Sequence, residues 1–321
     1  MTYKLDDVKG LGTVSVQKLN ENGISTIDEL LTVNPQDLAS MLSITKYKAK
    51  AVIMDAKTKI LETAPEFWTA NELESYRKLH QKKISTGSPQ IDTILEGGVW
   101  TDAINTFTGE LGTGKSQICH QLAVNCVIDH NRDAVYLETE PSTLSPARLR
   151  AMAEARGAKA EDVLDRIHVL PAGTVGDPFM QMISYQLVNK KVQEGKDIGV
   201  LIVDSFTARF RQTYLGREML SDRSQEIASH IGYLEMLASK HNLAVVLTTQ
   251  VMGIPDVGEQ IASRMRYGGA KKPYGGELFL HASTIWMYLQ KKATDEWQLT
   301  VFDAPLPRVT ALFKITEEGI R

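Results

Sequence analysis

The chain has 321 residues, of which 43% are hydrophobic and 23% are charged, and its formal net charge is −3. These values are typical of a globular protein with one large core and one smaller core. A net charge of −3 excludes a surface that is basic throughout, although it permits a local basic patch. There is no apolar run of about 18 residues and no basic-then-apolar leader, so we expect no membrane span, no secretory signal and a cytoplasmic protein.

Residues 1–62 carry apolar residues at helical spacing, interrupted by turn signals. The pattern predicts a small all-helical domain. Gly10 and Gly12, in the stretch VKGLGTVSVQKL, are typical of a helix-hairpin-helix, in which backbone N–H groups face a DNA phosphate. A purely structural hairpin is an equal alternative. The later stretch ITKYKAKAV is basic but has no glycine, so the sequence predicts one hairpin and not two.

Residues 63–83 read as a linker in which an aromatic pair, Phe67-Trp68, stands among charged and polar residues. A solvated linker gains nothing from exposed aromatic rings. We therefore expect the pair to be buried against something outside its own segment.

From residue 84 onward, short apolar runs alternate with longer helical stretches: INTFT, AVYLE, IHVLP, GVLIVDS and LAVVLTTQ. This alternation predicts an α/β fold with a mostly parallel sheet. Three further runs follow closely with no helical segment between them: STIWMYLQKK, WQLTVFDAP and VTALFKIT. They predict antiparallel strands that extend one edge of the sheet. The predicted domains are residues 1–62, the linker 63–83 and a core of residues 84–321.

The segment GELGTGKS, which follows the first core strand and precedes a helical segment, fits the P-loop pattern G-x-x-x-x-G-K-[ST]. Glycines let the loop wrap a phosphate so that backbone N–H groups face the anion. Lys115 would contact the β and γ phosphates, and Ser116 would hold Mg²⁺. The predicted nucleotide contacts are Gly109, Glu110, Leu111, Gly112, Thr113, Gly114, Lys115, Ser116 and Gln117.

Polar residues end three other predicted strands, at the edge where ligands bind in such sheets. Asp204 suits water-mediated contact with Mg²⁺, with a helix N-cap as the alternative. Glu138 or Glu140 could orient and deprotonate a water molecule, and the sequence does not choose between them. Gln250 suits a γ-phosphate sensor, although a strand-capping glutamine is equally consistent with the pattern.

Several motifs together resemble the archaeal RadA recombinases, which are related to RecA, over essentially the whole chain. They are FWTA, STGSPQIDTILEGGV, LIVDSFTARFRQTYLGR, TTQV, YGGELFLHAST and FKITEEGI. The resemblance implies a RecA-like P-loop ATPase core that uses ATP and Mg²⁺. It also implies DNA recombination and repair: helical filaments on single-stranded DNA, homologous pairing with double-stranded DNA and strand exchange, with rings as a second form and with mediator proteins as further partners.

The resemblance also assigns roles to residues. Glu140 corresponds to the catalytic glutamate, Arg148 to the arginine that stacks on adenine and Gln250 to the sensor. Phe67 and Ala70 correspond to a plug that fills sockets on the next subunit, with Trp68 either covering the rim of that contact or packing on its own domain. The DNA contacts implied are Arg211, Tyr214, Arg217, Arg223, Arg264, Arg266, Lys271 and Lys272.

Some positions depart from the family pattern. One extra residue separates Glu140 from Arg148, Pro141 stiffens that turn, and Glu277 stands where relatives carry histidine or asparagine. Asp303 is retained in a shortened segment, so a monovalent-cation site there stays open. Two other functions also stay open: a non-catalytic paralogue that binds ATP and a partner recombinase, and a ring-forming helicase or transporter-type ATPase.

Overall fold

The structure is a computed structural model that describes residues 4–63, 68–141, 143–171, 177–216, 218–253, 271–275, 279 and 281–321. The chain forms two compact units, Met1–His80 and Gln81–Arg321. The division between them lies inside the predicted linker of residues 63–83.

The first unit is helical, as its apolar spacing predicts. A short 3₁₀ helix at Leu5–Asp7 is followed by α1 (Thr13–Glu21), α2 (Ile27–Thr32), α3 (Pro35–Leu42), α4 (Lys46–Thr63) and α5 (Ala70–His80). Asn34 caps α3 by accepting from the N–H groups of Gln36 and Asp37, with Pro35 at the first helical position. Leu19, Leu30 and Leu38 form the core of this unit.

Left-handed backbone occurs at three connections of this unit: at Gly23, between α1 and α2, and at the two positions that follow. Gly10 has φ +92° before α1, and Ser43 has φ +55° between α3 and α4. The residues that follow these two turns, Leu11 and Ile44, both pack on the same core. The expectation of a single hairpin is therefore wrong: serine takes the left-handed backbone at the second turn, so no glycine marks it in the sequence.

The second unit alternates strands and helices. Its elements are β1 (Lys83–Ile84), α6 (Pro89–Ile94), β2 (Val99–Trp100), β3 (Ala103–Gly109), α7 (Lys115–His130), β4 (Asp133–Glu138), α8 (Pro146–Ala155), α9 (Ala160–Leu164), β5 (Ile167–Pro171), α10 (Pro178–Gln193), β6 (Ile198–Asp204), α11 (Ala208–Thr213), α12 (Leu220–His241), β7 (Ala244–Thr249), β8 (Val251–Gly253), β9 (Lys271–Pro273), β10 (Ile285–Ala293), β11 (Glu296–Asp303), β12 (Thr310–Phe313), β13 (Ile315–Thr316) and β14 (Gly319–Ile320).

The central sheet has eight strands in the order β12-β11-β10-β3-β7-β6-β4-β5. The five runs predicted as parallel strands are β3 to β7, and they pair in parallel. The prediction that all three later runs are antiparallel is wrong for β10, which runs parallel to β3, whereas β11 and β12 are antiparallel. The chain returns to the amino edge of the sheet before β10, so this strand enters in the same direction as β3.

Helices cover both faces of the sheet. On one face, Phe107 of β3 packs with Leu122 of α7 and Met152 of α8 in a core of fully buried side chains. On the other face, Tyr185 of α10 and Leu234 of α12 form a second core. With both faces buried, Glu138, Asp204 and Gln250 lie at or just after the ends of β4, β6 and β7, which are neighbours in the sheet, and this edge is the candidate site.

Candidate functional site

The loop between β3 and α7 has the backbone of a phosphate-binding loop. Gly112 and Gly114 have φ +78° and +90°, and Gly114 caps the N-terminus of α7. A residue with a Cβ atom at Gly114 would be strained by this backbone, and Cδ1 of Ile315, 2.6 Å from the Cβ position, would have to move. The loop therefore leads into a helix N-terminus, where N–H groups and the helix dipole favour an anion.

Lys115 is almost fully buried at the start of α7. Its Nζ donates to the carbonyl oxygens of Gly109, at 2.9 Å, and Glu110, at 2.7 Å. Burial lowers the pKa of Lys115, an effect partly opposed by Asp204. The ammonium group thus lies inside the loop that is expected to hold phosphates.

A cavity extends from this loop across the ends of the strands. It is lined by residues 111–117 of the loop and helix start and by Glu140, Thr143, Arg148, Asp204, Ser205, Gln250, Trp297, Ile315, Thr316 and Glu317. Every nucleotide-site side chain expected beyond the loop, namely Glu140, Arg148, Asp204 and Gln250, lines this one cavity.

Asp204, at the end of β6, is held by two hydroxyl groups. The Tyr136 hydroxyl donates to its Oδ2 at 2.6 Å, and the Thr248 hydroxyl donates to its Oδ1 at 2.5 Å. Burial raises the pKa of Tyr136, so this residue stays a proton donor. Thr248 is the first residue of the motif TTQV, whereas Tyr136 is part of no motif. The two partners lie near the ends of β4 and β7, the strands on either side of β6.

The residues present fit a magnesium ion. Mg²⁺ prefers oxygen ligands and keeps several water molecules, so a hydroxyl and one carboxylate next to bound phosphates suffice. Ser116 and Asp204 line the same cavity and supply these groups. Among the described residues, no group of three or more His, Cys, Asp or Glu side chains could hold a metal ion.

The two candidate acidic residues after β4 differ in their contacts. Glu138 accepts through Oε1 from the Leu144 N–H at 3.1 Å and from the Thr143 hydroxyl at 3.5 Å, so it organises the turn that follows. Glu140 lines the cavity instead. Its Oε1 lies 3.3 Å from Nη2 of Arg211. Of these two carboxylates, Glu140 is the one that lies at the cavity lined by the P-loop.

Gln250 follows β7 and faces the same cavity. Its Oε1 accepts from Nη1 of Arg211 at 2.8 Å. Arg211, expected from the resemblance to contact DNA, therefore contacts two residues that line the cavity, Glu140 and Gln250.

The far end of the cavity is formed by Arg148 and the β13–β14 hairpin. Arg148 donates to Oε1 of Gln117 at 2.7 Å and to the carbonyl oxygens of Thr316 and Glu317. Trp297 of β11 also lines the cavity, and its Nε1 donates to the Gly112 carbonyl of the P-loop at 3.3 Å. No motif in the sequence indicates that Trp297 lies at this cavity.

Two models of known protein families match this chain. The model described as Rad51 matches residues 77–321, well over half of the chain. The chain belongs to the Rad51 family. A second model, described as a SAM-like helix-hairpin-helix tandem, matches residues 3–58, in agreement with the two turns at Gly10 and Ser43.

Membership in the Rad51 family places the chain among the RecA-family proteins of DNA recombination and repair. Members of the family are DNA-dependent ATPases that use ATP and Mg²⁺. The family and the helix-hairpin-helix tandem both imply DNA binding. In the part of the chain that the structure describes, no helix has the length and apolar character needed to cross a membrane.

Residues expected to contact DNA in this Rad51-family chain meet around Tyr274. Nη1 of Arg223, on α12, donates to the Tyr274 hydroxyl at 3.0 Å, and Cζ of Arg223 lies 4.9 Å from the ring centroid. Cζ of Arg211 lies 5.8 Å from the same centroid. Tyr274 is 8% exposed, and its N–H donates to the Gln250 carbonyl at 3.0 Å. The sequence interpretation gave Tyr274 no role, although it is the first residue of the motif YGGELFLHAST at the exit of a basic, glycine-rich loop.

The second basic loop begins and ends in a two-stranded ribbon. β8, directly after Gln250, pairs antiparallel with β9, which contains Lys271 and Lys272. Tyr214 packs at the edge of the core beside α11. The predictions for Phe67, Arg217, Arg264, Arg266 and Glu277 lie outside the described residues.

The plug segment is described from Trp68 onward. Thr69 and Glu72 form a capping contact in which Glu72 accepts from the Thr69 N–H at 2.7 Å, and exposed Ala70 is the first residue of α5. The Trp68 ring packs edge-on against Tyr76, with centroids 4.7 Å apart. Trp68 is 45% exposed and its ring contact lies within its own segment, so the described part of the chain does not bury it against anything outside that segment, and both alternatives stay predictions.

Proposed function

We propose that this Rad51-family chain is an ATP-dependent recombinase of the kind that the archaeal RadA resemblance implies. It binds ATP, forms filaments on single-stranded DNA in the cytoplasm, pairs that DNA with homologous double-stranded DNA and exchanges strands. The observation that carries the proposal is the single cavity in which the P-loop, Asp204, Glu140 and Gln250 meet.

In ATP hydrolysis, the side chains of this cavity would have distinct roles. The loop N–H groups and Lys115 bind the β and γ phosphates, and Arg148 and Trp297 bind the end that carries the base. Glu140 accepts a proton from the attacking water, a role that contributes roughly 10²–10⁴-fold to the rate. Bound Mg²⁺ neutralises phosphate charge, and Ser116 and Asp204 would hold it. A monovalent cation near Asp303 is part of the same proposal.

DNA binding and assembly belong to the surrounding segments. Phosphates of the DNA backbone would be bound by basic residues of the two loops, with Tyr214 stacking on a base. They are Arg211, Arg217, Arg223, Arg264, Arg266, Lys271 and Lys272. Phe67 and Ala70 of one copy would fill sockets on the next, a head-to-tail contact that generates an open helix or a ring. Mediator proteins would load the filament.

ATP hydrolysis with and without single-stranded DNA tests the proposal. Wild type should hydrolyse ATP faster with DNA, and Glu140→Gln should lose hydrolysis while still binding nucleotide. Negative-stain microscopy with DNA and a non-hydrolysable ATP analogue should show helical filaments. Isolated monomers or discrete rings under these conditions would contradict the recombinase assignment.

A non-catalytic paralogue that binds ATP and a partner recombinase is the second candidate. It is favoured by one observation, the Arg211 guanidinium 3.3 Å from the Glu140 carboxylate, which occupies the oxygen that would act as base. In that case the wild-type chain would bind ATP, but its rate of hydrolysis would equal that of Glu140→Gln both with and without DNA.

A further inference from the structure

Arg211 contacts both Glu140 and Gln250, the proposed base and the proposed sensor. Arg211 donates through Nη1 to Oε1 of Gln250 at 2.8 Å and through Nη2 to Oε1 of Glu140 at 3.3 Å. The planar guanidinium has donors at fixed angles, so it holds the two acceptors in a fixed geometry, whereas the donors of a lysine ammonium rotate freely. A single side chain therefore sets the distance between Glu140 and Gln250.

The fold explains why this arginine reaches both residues. Glu140 follows β4 and Gln250 follows β7, and these strands lie on either side of β6 in the sheet. Arg211 is on α11, the short helix that follows β6. The helix thus starts between the two acceptors, and its last turn carries the guanidinium across the ends of three adjacent strands.

The contact restricts what Glu140 and Gln250 can do. Oε1 of Glu140 and Oε1 of Gln250 both accept from the same cation. Both side chains are then oriented towards Arg211. A base must be within hydrogen-bond distance of the proton that it removes, so this arrangement holds Glu140 back from hydrolysis.

The same arginine is placed to respond to DNA. Within three residues of Arg211, α11 ends and the chain enters the basic stretch that reaches Arg223. Both arginines lie on the ring of Tyr274, with Cζ 5.8 Å and 4.9 Å from its centroid. Tyr274 follows the second loop and donates to the Gln250 carbonyl. The described ends of both loops therefore contact the group that holds Glu140.

We propose that Arg211 is a positioning residue that holds Glu140 and Gln250 together in the DNA-free chain, and that a DNA phosphate releases both by taking the guanidinium. The inference rests on the proposed function and adds its regulation. Phosphate offers arginine a bidentate, charge-assisted contact that competes with the carboxylate and the amide. Because one guanidinium holds both side chains, its removal frees the base and the sensor in one step.

Basal ATP hydrolysis of Arg211→Gln is the test. The ion pair is partly exposed, at 30% and 32% of the two side chains. Pairs of this kind contribute up to about 1 kcal/mol, so hydrolysis without DNA should rise roughly two- to five-fold. The rise should appear in kcat with an unchanged KM for ATP, and added DNA should stimulate the variant less by the same factor. The double variant Arg211→Gln/Glu140→Gln should show no rise.

The matched control is Arg150→Gln. Arg150 forms an exposed ion pair with Glu161 at 2.6 Å, away from the cavity, and its loss should change neither basal nor DNA-stimulated hydrolysis. Melting temperatures verify that the variants fold. If Arg211→Gln does not fold, Arg211→Lys replaces it, since an ammonium group keeps the charge but cannot fix two acceptors in one plane.

The outcomes separate this inference from the proposed function. Wild type stimulated by DNA together with an unchanged or lower basal rate in the Arg211 variant overturns the inference alone. Absence of hydrolysis in wild type and in all variants, with and without DNA, overturns the proposed ATPase and the inference together.

Discussion

Tyr136 is the residue on which the position of the Asp204 carboxylate most directly depends. It is fully buried, and its hydroxyl donates to Asp204 at 2.6 Å across two neighbouring strands. Tyr136→Phe should lower the free energy of unfolding by about 1–3 kcal/mol, because a buried charged acceptor loses a donor. It should also raise the Mg²⁺ concentration needed for half-maximal ATP binding, since the carboxylate is no longer fixed.

Tyr185→Phe is the control for this prediction. Tyr185 is a fully buried tyrosine in the opposite core, and its hydroxyl accepts from Nε2 of Gln181 at 2.9 Å. Its loss should also lower stability but should leave the Mg²⁺ dependence of ATP binding unchanged. Equal Mg²⁺ dependence in the two variants would show that the Tyr136 hydroxyl has only a structural role.

The fluorescence of Trp297 should respond to nucleotide binding in the cavity. Its ring lines the cavity, and its Nε1 donates to the Gly112 carbonyl of the P-loop. Nucleotide binding should therefore change tryptophan fluorescence, and Trp297→Phe should remove that change although Trp68, Trp100 and Trp286 remain. A change of equal size in the variant would locate the responding tryptophan elsewhere.

At the residue scale, local patterns predicted the loop and the residues at strand ends, whereas long-range contacts escaped them. Asp204, Glu140 and Gln250 each end an apolar run, and the carboxyl ends of such strands meet at one edge of a sheet. Tyr136 and Asp204 are 68 positions apart, and Trp297 and Gly112 are 185 apart. No periodicity links residues at such separations, so only the folded sheet shows that they touch.

At the scale of elements, the turns at Gly10 and Ser43 in the first unit allow a direct comparison of glycine and serine in a left-handed backbone. Both need a left-handed residue, and one has glycine at Gly10 while the other has Ser43. Ser43→Gly should stabilise the helices by about 0.5–1 kcal/mol, because a left-handed backbone strains a residue with a Cβ atom. Gly10→Ala should destabilise them by about 1–2 kcal/mol, since its Cβ would also lie 3.1 Å from Cγ2 of Val52.

Amide hydrogen exchange of α1 and α4 in the full chain measures both changes. Lower protection in Ser43→Gly would show that the serine side chain contributes more than its backbone strain costs. The same pair of turns explains why the sequence predicted one hairpin and not two. A search for glycine detects the residue that adopts this backbone most easily, and it misses serine in the same conformation.

At the scale of the whole molecule, the sequence patterns did not predict the order of the strands in the sheet. Alternation of runs predicted a mostly parallel sheet, yet β7 lies between β3 and β6, and β10 runs parallel to β3. These positions depend on connections that cross the sheet, which no local pattern records. They matter for function, since β7 brings Gln250, and α11 after β6 brings Arg211, to the carboxylate that follows β4.

Buried histidines should make the stability of the whole chain depend on pH. Burial lowers the pKa of His120 to about 4 and also lowers the pKa of fully buried His230. An unfolded histidine has a pKa near 6.5, so below that pH the unfolded chain binds protons that the folded chain excludes. The free energy of unfolding should fall from pH 6.5 to pH 4, by about 3 kcal/mol for His120 alone. Denaturant unfolding of wild type and His120→Gln at pH 7.5 and 4.5 measures this share, and equal pH dependence in the two proteins would contradict it.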